Sequence, residues 1–131
     1  MKKLSQQLEE RLNSIEQAFE ETGRQKVDFS VYPEDMREHE EADYNSKIIV
    51  EAARKIEREC GLGEIDWSDY SQPKYAPWFR MGPSAFAFAD SDCAYSCAYA
   101  GGGSRLRLLS EITSTHIGKT FPDVWEAVQL K

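Results

Sequence analysis

Apolar residues in the first half of the chain recur at the three- and four-residue steps of a helix. Beyond Trp67 they recur at every second position. Leu4, Leu8, Leu12, Ile15 and Phe19 form one stripe, which predicts an amphipathic helix from about Lys3 to Glu21, with Gly23 as its C-terminal cap. Val27, Phe29 and Val31 alternate with Asp28 and Ser30, a weaker pattern compatible with a short strand. Pro33 suits the first turn of a second helix. That helix carries the acidic stretch from Glu34 to Asp43, then a stripe of Ile48, Ile49, Ala52, Ala53, Ile56 and Cys60, and ends at Gly61 and Gly63.

The second half reads as an antiparallel meander. Trp78 to Met81 lies between Pro77 and Pro83, as suits an edge strand. Ala85 to Ala89 sets Phe86 and Phe88 on one face and alanines on the other. Asp90-Ser91-Asp92 is a turn signal. Cys93, Tyr95, Cys97 and Tyr99 then share a face, Gly101-Gly102-Gly103 breaks the chain, and Arg105 to Leu109 resumes with Leu106 and Leu108 aligned. The aromatic face has more apolar area to remove from water, so helices are expected to cover it. Ser110 is an N-cap for a last helix. Ile117, Phe121, Val124, Trp125 and Val128 share one side only if the helical phase runs through Pro122, which predicts one kinked helix. The fold class expected is α+β. It has N-terminal helices, a three- to four-stranded antiparallel meander, and a C-terminal helix packed on the sheet.

A chain of 131 residues fits a single domain, mainly helical and acidic over 1–62, meander plus helix over 67–131. With 40% hydrophobic and 30% charged residues it has the composition of a soluble globular protein. No apolar run reaches the roughly 18 residues of a membrane span, and no apolar segment follows the basic Lys2 and Lys3 as in a signal peptide. Three cysteines, an odd number, agree with a cytoplasmic setting. The net charge of −7 lies wholly in the first half. Residues 1–66 hold ten Lys/Arg against seventeen Asp/Glu, and residues 67–131 hold six of each. With no basic stripe to grip phosphates, direct nucleic-acid binding is not expected.

Several residue groups invite a chemical reading, each against a plainer one. Gly118-Lys119-Thr120 matches the end of a phosphate-binding loop, but the earlier glycine it needs is Thr113, so it reads as a helix turn. Gly101-Gly102-Gly103-Ser104-Arg105 offers amides and a guanidinium to an anion, or simply turns the chain; Arg105 is the best single anion-binding candidate. Cys93 and Cys97 on one strand would hold their sulfurs about 13 Å apart, too far to share a metal. No pairing of Cys60, Cys93 or Cys97 with His39 or His116 is favoured by spacing, so neither a metal, a cofactor nor a catalytic residue is assigned. Glu34, Asp35, Glu38, Glu40, Glu41 and Asp43 form an acidic patch, a solvated helix face or a contact for a basic partner. Trp67, Tyr70, Tyr75 and Trp78, with Lys74 between, either seal the edge of a small core or form an interaction surface.

Asp66-Trp67-Ser68-Asp69, Lys74-Tyr75, Pro77-Trp78-Phe79, Gly103-Ser104-Arg105-Leu106, Ser110, Gly118-Lys119, Phe121, Asp123 and Trp125 follow one another in an order that resembles a known family. From Trp67 to Val128 the chain is similar to small uncharacterised proteins of phages, prophages and mobile elements of gut bacteria. The resemblance implies an aromatic-rich meander followed by one helix, and it brings no catalytic residues. His116 stands where the family tends to have tyrosine, and Pro122 where it has a helix former. The functional expectation is a non-enzymatic protein-interaction domain with a protein partner. The alternatives are an acidic mimic of nucleic acid that inhibits its target, or a small enzyme with an unrecognised site.

Overall fold

The computed structural model describes residues 3–69, 71–81, 86–94 and 106–130. Its elements are α1 (Leu4–Arg11), α2 (Ile15–Thr22), a 3-10 turn (Phe29–Val31), α3 (Glu34–Glu59), β1 (Lys74–Met81), β2 (Phe86–Ala94), α4 (Glu111–Thr120) and α5 (Pro122–Leu130). The described residues are thus dominated by helices, with one two-stranded antiparallel sheet. This overturns the three- to four-stranded meander.

The long helix α3 is the central element. It packs against α2 and α5, and more lightly against α1 and α4, while α4 lies across both strands. Leu8, Leu12, Phe19, Ile49, Ile56, Leu108, Ile117 and Trp125 belong to one buried cluster. Elements from both ends of the chain therefore share a core.

The first helix is two helices. The apolar stripe runs unbroken from Leu4 to Phe19, but Ser14 adopts extended backbone angles and its side chain accepts the Gln17 amide at 3.2 Å. The Gln17 side chain reaches back to accept from Asn13 N at 2.6 Å, so Ser14-x-x-Gln17 works as a variant capping box that restarts the helix. The break leaves Leu8 and Leu12 fully buried and turns α2 onto α3. Arg11 ties the two together: its guanidinium grips Glu21 at 2.8 and 2.6 Å and Glu59 at 2.8 Å. Gly23 caps α2 in the left-handed conformation. Val27 to Val31 forms no strand, because the Asp28 side chain accepts the Ser30 amide and starts the 3-10 turn instead.

Helix α3 starts at Glu34, with Pro33 one position earlier as its N-cap. It ends in a Schellman motif. The Gly61 amide bonds the Arg58 carbonyl and the Leu62 amide bonds the Glu57 carbonyl, both at 3.0 Å, with Gly61 at φ 91°.

In the sheet, Lys74 pairs with Ala94 and Met81 with Phe86, with a bulge at Trp78/Phe79. The strand β2 runs straight through Asp90-Ser91-Asp92, so the expected turn is corrected to strand. Ser91 pairs with Pro77 and its hydroxyl meets that of Thr115 on α4 at 2.9 Å, which gives a polar residue a place in the strand. The expected strand from Arg105 to Leu109 shrinks to one bridge, Tyr75 to Leu108, with backbone bonds of 2.7 and 2.9 Å. The remainder of the proposed strand after Ala94, and the triple glycine, lie outside the described residues. Phe79 stacks on Phe86 at 4.6 Å, meets Phe88 edge-on at 6.2 Å and reaches Trp125 at 6.3 Å.

The single kinked C-terminal helix is also corrected. Phe121 leaves the helical region (φ −123°, ψ 49°), as a residue before proline tends to, and Pro122 opens α5 as its first residue. The Ile117 carbonyl accepts both the Phe121 amide at 3.1 Å and the Trp125 indole at 3.2 Å, so the buried indole N–H is satisfied across the break.

Candidate functional site

The Schellman turn delivers the chain into a loop stapled by its own side chains. Asp66 accepts from the Ser68 amide and hydroxyl at 2.9 and 2.6 Å, and Asp69 accepts from Ser71 in the same way. These bonds favour the ionised carboxylates and hold both carboxyls below their ordinary range. Gln72 closes the loop, donating to the Glu64 carbonyl at 3.0 Å and accepting from the Asp66 amide at 2.7 Å. Lys74 lies beneath it. Its ammonium donates to the Asp69 and Gln72 carbonyls at 3.1 and 2.9 Å and sits 5.7 Å from the centre of the Trp67 ring. At 2% exposure it is a clamp on the loop and offers nothing to a partner. Tyr75 is half-buried and engaged through its backbone with Leu108, whereas Trp67 keeps 38% of its surface. Trp78 pairs with Asp90 in the sheet; its side chain, like Tyr70 and Arg105, lies outside the described residues.

Trp67 forms one wall of a cleft of about 170 Å³ that also takes in Arg54, Arg58, Glu64, Ile65 and Leu109. Arg54 and Arg58 are four residues apart and so project from one face of α3. Arg54 Nε donates to the Arg107 carbonyl at 2.8 Å, and Arg58 Nε faces the Glu64 carboxylate at 3.5 Å. Behind the cleft is Glu57, wholly buried, with both carboxylate oxygens 3.1 Å from the Leu109 amide at the entrance to α4. Burial pushes this carboxyl above its usual range; the Leu109 and Ser110 amides, the Thr113 hydroxyl and the charge of Arg54 pull the other way. Glu57, Arg54 and Arg58 were not picked out by sequence reasoning. The available signal was a carboxylate at position 57 inside the stripe Ala53, Ile56, Cys60, where an unpaired charge would be costly.

The acidic patch divides between surfaces. Glu34, Asp35, Glu38 and Glu41 are exposed, whereas Glu40 and Asp43 are half-buried and Asp43 pairs with Lys47 at 2.9 Å. Large apolar side chains sit beside the exposed acids. Val31 is 83% exposed, Val27 50%, Met36 44% and Tyr32 38%. Arg37 donates to the Tyr32 and Ser30 carbonyls at 2.9 and 3.1 Å, fixing the 3-10 turn against the start of α3. The sequence stripe located the acids; it did not show that Val31 and Met36 face water.

The histidines are spent on backbone contacts, His116 Nε2 with the Leu12 carbonyl at 2.6 Å and His39 Nδ1 with the Ala127 carbonyl at 3.3 Å. Gly118 lies inside α4, where an added Cβ would come within 2.4 Å of the Phe88 ring, so Gly118-Lys119-Thr120 is a close-packed helix turn. Among the described residues no three His, Cys, Asp or Glu side chains are placed to hold a metal ion, and no helix is long and apolar enough to cross a membrane. Compared with family models, curated proteins and solved structures, the chain matches none.

Proposed function

We propose that the chain is a protein-interaction domain without chemistry of its own, acting in the cytoplasm of the cell that makes it. Its docking face is the 3-10 turn and the first turns of α3. The observation that carries this reading is Val31, 83% exposed, in one short segment with the exposed Tyr32 and Met36 and the exposed acids Glu34, Asp35 and Glu38. Apolar side chains left in water contribute nothing to folding and become favourable only when a partner covers them. The surrounding carboxylates select a partner whose matching surface is apolar at its centre and basic at its rim. A setting in phage or mobile-element biology is supported by the resemblance of Trp67 to Val128.

The test is a photo-crosslinking residue at position 31, with the same group at Leu130 as control, followed by capture with the Val31→Ser/Met36→Ser variant. One partner crosslinked from position 31 alone, and lost in the double variant with its helical signal intact, is the expected result. Capture unchanged by the double variant overturns the reading. Capture unchanged by that variant but abolished by moderate salt and by Glu34→Gln/Glu38→Gln would instead favour a charge-only mimic of nucleic acid.

A further inference from the structure

We propose that the cleft between the C-terminal end of α3 and the Trp67 loop binds a small planar carboxylate, held by Arg58 and stacked on the Trp67 indole. The site lies at the far end of α3 from the docking face, about 35–40 Å away along a helix of this length, and is independent of it. Arg54 and Arg58 give its lining positive charge, Trp67 an aromatic ring and Ile65 and Leu109 apolar surface. A guanidinium is planar and forked, which matches a carboxylate in two parallel hydrogen bonds. The volume of about 170 Å³ is below the roughly 300–1,000 Å³ of drug-sized sites, which restricts the ligand to about one ring.

Two features single out a carboxylate. Of the α3 C-terminal carbonyls that oppose an anion here, Arg58 O is bonded to the Gly61 amide and Glu57 O to the Leu62 amide, and the Arg58 charge offsets the negative end of the helix dipole. The protein also places a carboxylate of its own at the mouth. Glu64, 74% exposed and following Gly63 at φ 80°, holds its Oε1 3.5 Å from Arg58 Nε. Such an exposed pair is worth at most about 1 kcal/mol, so an incoming carboxylate displaces it at little cost. The buried Glu57 accepts the Leu109 amide and lies within electrostatic reach of Arg54, so Arg58 is the guanidinium that meets the ligand, and Lys74 is committed to the loop carbonyls.

The experiment is a titration of indole fluorescence in the intact protein with benzoate, with benzamide and inorganic phosphate as uncharged and non-planar comparators. Saturable quenching by benzoate is expected, absent with benzamide, at least tenfold weaker with phosphate, and absent in Trp67→Phe. Arg58→Met should weaken benzoate at least tenfold. Glu64→Gln should tighten it by about two- to fivefold, because the internal competitor is gone. Arg58 and Glu64 are 46% and 74% exposed, so neither substitution threatens the fold. No saturation, equal binding of benzamide or phosphate, or an unchanged affinity in Glu64→Gln would each overturn the proposal.

Discussion

Replacing Glu57 with glutamine should change how stability depends on pH, in a direction the structure dictates. Glu57 is wholly buried, and burial raises its folded-state pKa above the ordinary glutamate value of 4.5. Between that value and the folded one, the native protein keeps a proton that the unfolded chain has released. Unfolding there releases a proton, so stability from this residue is fully present below 4.5 and is lost as pH rises through the folded pKa. The slope cannot exceed about 1.4 kcal/mol per pH unit for one proton. Asp28, Asp66 and Asp69 are held below their ordinary range, chiefly by Ser30, Ser68 and Ser71, and slope the other way at more acid pH. They are common to both proteins and cancel in the difference. Urea unfolding followed by circular dichroism from pH 4 to 8 should show wild type losing its advantage over Glu57→Gln as pH rises, then a plateau. A gap that stays constant, or widens with pH, would refute the assignment of burial as the dominant influence. Glu57→Ala should cost about 2–4 kcal/mol at acid pH, because it strips the Leu109 amide of its acceptor and leaves a void, and this cost should shrink with rising pH as it does for Glu57→Gln.

Other substitutions probe separate contacts. Gly118→Ala should destabilise by about 1–3 kcal/mol despite alanine's better helix propensity, since its Cβ would meet Phe88 at 2.4 and 2.6 Å and Pro77 at 2.9 Å; a melting temperature at or above wild type would contradict this packing. Gly61→Ala meets no atom within 4 Å but must hold φ near 91°, so its cost of about 1–2 kcal/mol is backbone strain alone, read as a lower urea midpoint at unchanged m-value. Arg11→Met should cost about 1 kcal/mol and raise amide exchange in α1 and α2 ahead of α3, because the Arg11 contacts to Glu21 and Glu59 join these elements; uniform exchange would argue against that role.

The helical half was legible where periodicity and end signals agreed. Ile48 to Ile56 with Gly61, and Phe19 with Gly23, marked helices and ends that the structure contains. The apolar stripe hid the break at Ser14, because Leu12 and Ile15 keep the helical step across it; only the Ser14–Gln17 spacing carried the signal. The same continuity from Ile117 through Trp125 masked the start of α5, since the inward face is preserved although the backbone is not. The pattern beyond Trp67 identified the second half of β1, at Trp78 to Met81, and part of β2, while Lys74 to Pro77 had read as a connection. It overcounted strands because Leu106 and Leu108 can alternate while only Tyr75 and Leu108 bridge. Of the candidate site residues, Trp67 lines a cleft, Lys74 serves the loop, and Glu40 and Asp43 turn partly inward. Side-chain burial separates these cases, and composition does not encode it.

Charge along α3 has two explanations that make different claims. Glu34 and Asp35 in the first turn and Arg58 in the last complement the helix macrodipole, so each stabilises the helix by about 0.3–1 kcal/mol whether or not a partner exists. Neutralising the acids therefore lowers stability and partner affinity together, and a loss of binding in those variants would be ambiguous. Val31 carries no such double duty. Being 83% exposed, it should tolerate serine within about 0.5 kcal/mol. Its replacement separates recognition from folding: Val31→Ser should leave the unfolding midpoint in place while reducing capture of the partner. If the midpoint falls by more than about 1 kcal/mol in equivalent stability, the side chain is part of the fold after all, and the exposed patch loses its claim to be a docking face.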